Sequence, residues 1–125
     1  MRIMICDSRS DTAGEAELVT SLGGLGHDVE LSPDGASFLE SAIAHRPDLV
    51  VYALHPEIDG DLAVLRLLRR VRPDVGLVIL ANDTSLFTRA AVQPLRPVYY
   101  AVAPAEPSEL IEAVQAGLRR HGRHG

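Results

Sequence analysis

Short apolar runs alternate along the chain with stretches whose apolar residues recur every three or four positions, and this alternation limits the folds open to it. The runs are Arg2–Cys6, Val29–Leu31, Asp48–Leu54, Val75–Leu80 and Val98–Val102. Several are almost continuously apolar, the pattern of strands covered on both faces. Between them come helical patterns: Ala13, Ala16, Val19 and Leu22; Phe38, Leu39, Ala42 and Ile43; Leu62, Leu65, Leu68 and Val71; a short stretch from Asn82-Asp83-Thr84 to Ala91; and Leu110, Ile111, Val114 and Leu118. Gly23-Gly24 with Gly26 are expected to close the first helix, and Pro47, Pro73, Pro94 and Pro97 to end later elements. Asp61 or Asp59 is expected to cap the third helix, with Arg66, Arg69, Arg70 and Arg72 facing outward. Five strands alternating with five helices across short turns predict a parallel sheet with helices on both faces. The expected domain covers 1–120, with 121–125 a flexible tail or the start of a linker. Ligand chemistry in such folds gathers at the carboxyl ends of the strands, here Asp7-Ser8, Ala53-Leu54, Ala81-Asn82 and Val102-Ala103.

Composition removes several functions. A chain of 125 residues, 46% hydrophobic, buries enough surface to fold without a staple. Its single cysteine, Cys6, lies in an apolar run, which excludes an internal disulfide and suits a reducing cytoplasm, the expected location. No apolar run approaches the roughly 20 residues of a membrane span, and no secretion signal precedes the first run. A net charge of −5 argues against nucleic-acid binding by the domain itself. All 12 basic residues are arginine, so lysine chemistry of any kind is absent, from Schiff bases to phosphate-loop lysines. Gly23, Gly24 and Gly26 follow a helix instead of opening one, which excludes a dinucleotide fingerprint there. His27, His45, His121 and His124 have no metal-ligand spacing with Cys6, and Ser8 sits in no nucleophile elbow.

Several segments, taken in order, resemble the receiver domain of two-component response regulators. They are Gly26-His-Asp-Val-Glu30, Pro33-Asp-Gly35, Pro47-Asp-Leu-Val-Val51, the Pro56 to Gly60 loop, Tyr100, and Pro104 followed by Pro107-Ser-Glu-Leu110. The resemblance runs from Arg2 to about Arg120. It implies a flavodoxin-like, doubly wound α/β sheet of five parallel strands in order 2-1-3-4-5 with five helices.

In that family an acidic pair closes the first strand, an aspartate ends the third and accepts phosphate, Ser or Thr ends the fourth, and Lys ends the fifth. The carboxylates hold Mg²⁺, while the hydroxyl and ammonium grip the phosphoryl oxygens. Carried onto this sequence, the acidic pair becomes Asp7 and Ser8, and the acceptor falls on Ala53 or Tyr52, depending on the side from which a shortened loop is counted. The hydroxyl and lysine positions fall on Ala81 and Ala103. The resemblance is thus to a degenerate receiver, a non-enzymatic, phosphorylation-independent interaction or dimerisation module with no cofactor. Asp7 is the one weak candidate for Mg²⁺. A protein partner or output domain is expected, or a homodimer through the face made by the fourth helix, fifth strand and fifth helix. That face carries Phe87, Pro94, Pro97, Tyr99, Tyr100 and Val114. Two alternatives stand beside it: a small apolar ligand in the vacated pocket, and a working receiver using Asp59 or His55 as phosphoacceptor.

Overall fold

A computed structural model describes residues 1–6, 12–32, 34–81, 84–102 and 106–124. Its elements are β1 (Arg2–Cys6), α1 (Thr12–Gly24), β2 (Asp28–Ser32), α2 (Gly35–His45), β3 (Leu49–Ala53), α3 (Asp59–Val71), β4 (Gly76–Ala81), α4 (Leu86–Val92), a short 3-10 turn (Gln93–Leu95), β5 (Tyr99–Val102) and α5 (Pro107–His124). All four strand pairs are parallel, in the order β2-β1-β3-β4-β5. The flavodoxin-like sheet with five α-helices is therefore the observed fold.

Strand side chains alternate between two cores. Met4, Cys6, Val50, Tyr52, Leu77 and Ile79 pack with Phe38 and Ala42 of α2 and Leu62, Leu65 and Leu68 of α3. Ile3, Ile5, Leu49, Val51 and Val78 face the other way, onto Leu18 and Leu22 of α1 and Leu110, Val114 and Leu118 of α5. The central strand β3 is buried at all five positions, which is why its sequence lacks polar alternation.

Helix ends follow local chemistry. After α1 the Gly26 N–H bonds the Gly23 carbonyl at 3.0 Å and the His27 N–H bonds the Leu22 carbonyl at 3.2 Å. Gly26 has φ +92, so the expected glycine closure is a Schellman-type cap. Asp34 caps α2 by accepting the Ser37 N–H at 2.8 Å, and Ser85 caps α4 by accepting from Phe87 and Thr88. The fourth helix thus opens at Leu86, later than its sequence pattern suggested. Backbone helix in α5 runs on past Arg119, where the apolar repeat fades, to His124.

The arginines of α3 do not all face outward. Arg69 turns under the sheet and donates to the carbonyls of Leu95 (2.7 Å), Val75, Pro73 (3.3 Å) and Arg96 (3.2 Å). Arg72 donates to the Pro47 carbonyl at 3.0 Å. Burial depresses the Arg69 pKa, but the guanidinium remains a pure donor, suited to a cluster of chain-end carbonyls. Replacing Arg69 by Met keeps the apolar stem and strands those carbonyls. The expected loss is about 1–3 kcal/mol in urea unfolding, with an unchanged m-value.

Candidate functional site

Cys6, Ala53, Ala81 and Val102 are the last residues of β1, β3, β4 and β5, so the C-terminal edge of the sheet is fixed by register. Ala53 pairs with Leu80 and Ala81 with Val102. Both alanines are buried, at 5% and 0% exposure, and the Leu54 N–H continues the ladder to the Leu80 carbonyl at 2.8 Å. Asp7, Ser8 and Ala103, the other expected members of this edge, lie outside the described residues.

Tyr52 separates from Ala53 because successive strand residues point to opposite faces. Its ring enters the core beneath α2 and α3, edge-on to Phe38 at 5.4 Å. Its hydroxyl donates to Asp61 Oδ1 at 2.8 Å. Asp61 is 3% exposed. It also accepts the His55 backbone N–H at 2.7 Å through Oδ2, and its Oδ1 lies 2.7 Å from His55 Nδ1, which donates when protonated. Three donors therefore converge on one buried carboxylate, the condition under which such a group tolerates desolvation.

This network corrects the expected cap. The helix begins at Asp59 behind Ile58, which makes no side-chain cap, so Asp61 is the third residue of α3 and points inward. Asp59 is exposed in the first turn and does not cap. His55 remains partly exposed, but its ring is held by Asp61. Asp61 was missed as a site residue although it lies four positions before Leu65 and seven before Leu68, on the buried stripe. An open groove of about 630 Å³ lies beside the network, lined by Gly35, Tyr52, His55, Ile58, Asp61 and Val64 among others.

Neither Tyr52 nor Ala53, at the end of β3, offers a carboxylate, and no group of three His, Cys, Asp or Glu among the described residues is arranged for a metal. The described part of the edge therefore does not fit Mg²⁺.

On the expected interaction face, Phe87 is 77% and Tyr99 37% exposed, joined by Leu86 at 79%. Pro94 is exposed, and Pro97 and Tyr100 are partly buried, with the Arg89 guanidinium 5.0 Å from the Tyr100 ring centroid. Tyr99 donates to Glu109 at 2.8 Å, a bond that raises its pKa. Val114 does not belong to this face. It is fully buried against the sheet, on the inward stripe of α5 with Leu110 and Leu118.

Burial, then the bond to Asp61 and the Asp61 charge, push the Tyr52 pKa far above its ordinary 10.0. The folded state therefore favours the protonated hydroxyl. Its contribution is fully present below about pH 10 and is lost as the pH rises further, because the unfolded chain gains by ionising the phenol. Urea titrations from pH 8 to 11 are expected to show that decline, and Tyr52→Phe to flatten it. At pH 7 the same substitution removes one donor from Asp61 and is expected to cost about 1–3 kcal/mol.

No protein-family model matches the chain. It is 34% identical over 122 residues, 97% of its length, to the transcriptional regulatory protein PrrA of Mycobacterium tuberculosis, and 33% identical to PrrA of Mycobacterium leprae. The chain spans about half the length of these curated relatives, 51%. Among solved structures, a CheY-like response regulator receiver domain protein from Methanospirillum hungatei superposes with TM-score 0.86 at 22% identity, covering 99% of this chain and 98% of that one. The signal receiver domain of an HD domain-containing protein from Pseudomonas fluorescens gives 0.84 at 22% identity, covering 98% and 97%. Among the described residues no helix is long and apolar enough to cross a membrane. These superpositions show that the chain has the CheY-like fold, and its sequence is similar to about half of PrrA.

Proposed function

We propose that this receiver-like domain works without phosphorylation, as a non-enzymatic protein-interaction or dimerisation module in bacterial signal transduction. One observation carries the reading: β3 ends in the methyl group of buried Ala53, where a working receiver presents its phosphoacceptor. Ala81 at the end of β4 and the absence of lysine from the whole chain support it, since no hydroxyl or ammonium is left at those positions to grip a phosphoryl group. On this reading the domain takes no Mg²⁺ and acts in the cytoplasm through protein contacts. PrrA is described as a transcriptional regulatory protein. By that likeness the output would be a separate DNA-binding partner or domain.

The surface that would carry a second copy is the one holding Leu86, Phe87 and Tyr99, the most exposed apolar group on the α4 side of the sheet. Light scattering over a wide concentration range is expected to show a reversible dimer that Phe87→Ser returns to monomer.

The test of the central claim is an amide NMR titration with Mg²⁺ followed by beryllofluoride, which mimics an aspartyl phosphoryl group. Silence at Leu54, Ala81 and Val102 is the expected result. Saturable shifts there, or a phosphoryl mass gain with a small phosphodonor, would show that Asp59, His55 or another group has taken the acceptor's role.

A further inference from the structure

The outer face of α3 divides its arginines in an unusual way. Arg69 and Arg72 are used internally on backbone carbonyls, as described above. Arg66 and Arg70, one helical turn apart, are exposed and have no carboxylate or carbonyl partner among the described residues. Beside them, also one turn apart, Leu67 and Val71 are each 48% exposed, and exposed Ala63 extends the apolar line toward the helix start. Apolar positions 63, 67 and 71 thus form a stripe about 12 Å long, with basic positions 66 and 70 in a parallel stripe about 6 Å long beside it.

We propose that this face docks an acidic amphipathic helix of a partner protein. Ala63, Leu67 and Val71 would receive the partner's apolar stripe, and Arg66 and Arg70 would pair with carboxylates spaced one turn apart. Charge complementarity carries the choice. Two like charges a turn apart repel, and neither guanidinium makes an ion pair with a described residue, whereas an acidic helix would pair both while covering the leucine and valine. The chain is acidic overall, so a basic strip bordering an apolar one is a local departure and not a general property of the surface. A three-turn helix is long enough to cover both stripes. The proposal is independent of the α4-side dimer and of the empty acceptor position, and its test can fail without touching either.

The probe is a synthetic three-turn helix carrying Leu at one-turn spacing flanked by Glu at one-turn spacing, titrated into the intact chain and followed by amide NMR. Saturable shifts confined to 59–71 are expected. Leu67→Ala, and separately the charge reversal Arg66→Glu with Arg70→Glu, should each weaken binding about tenfold or more. The reversed variant should instead take up the same peptide with Lys in place of Glu, a gain that a merely damaged fold would not show. Shifts centred on Leu86 and Phe87, equal binding of the Lys peptide by the unmodified chain, indifference to Leu67→Ala, or tighter binding of a DNA duplex at Arg66 and Arg70 would each overturn the proposal.

Discussion

All five residues of β3 are removed from water by helices on both faces, and a polar group can stand in such a strand only if its partner is built in. Tyr52 is that group. Its hydroxyl, carried to the top of the core by the length of the ring, must meet an acceptor where α3 begins. Asp61 supplies it, and to do so it faces inward, with α3 starting two residues earlier at Asp59. The first-turn position is favourable for a carboxylate, since the helix amides there carry partial positive charge. The second oxygen of the same group takes the His55 amide, so one carboxylate sets the core tyrosine, the connecting loop and the start of the helix together.

That arrangement also determines what the edge of the sheet can do. Strand alternation turns Ala53 away from Tyr52, so the carboxylate of α3 and the end of β3 are on different sides of the backbone. A polar acceptor at position 53 would need its own partners at an edge where the described neighbours, Leu80 and Ala81, bring only apolar groups. Methyl groups at 53 and 81 need none. Among the described residues, the polar groups next to β3 are gathered into the Tyr52–Asp61–His55 network, and Ala53 and Ala81 end their strands with methyl groups.

The strands, their order and both apolar faces were legible because each rests on periodicity over many residues. Gly26 was legible as a closure because a positive φ is easy only for glycine. Asp61 was not, because a carboxylate near a helix start reads first as a cap, and only its phase with Leu65 and Leu68 betrays an inward direction. Val114 failed for the opposite reason: it was assigned to a surface by its helix, although its phase with Leu110 and Leu118 placed it in the core. Whether the acceptor position falls on Tyr52 or Ala53 turns on a one-residue difference in loop length that counting cannot resolve; in the structure the two side chains point to opposite faces of β3.

The arginines of α3 show the same physics at the opposite end of the sheet. In the sequence they form a basic run that reads as one solvated face. The helical repeat places neighbours such as Arg69 and Arg70 a quarter-turn or more apart, and that angle decides between two environments. Arg69 reaches carbonyls left open where β4 begins and the 3-10 turn ends, and a fork of five donors can satisfy several of them at once. Arg70 meets only solvent. The tyrosine network closes the carboxyl end of β3, and the Arg69 cluster holds the start of β4 to the segment before β5, so these polar groups are committed to structure. Among the described residues, the outer helical faces are where exposed apolar side chains such as Leu67, Val71, Leu86 and Phe87 stand open to other molecules.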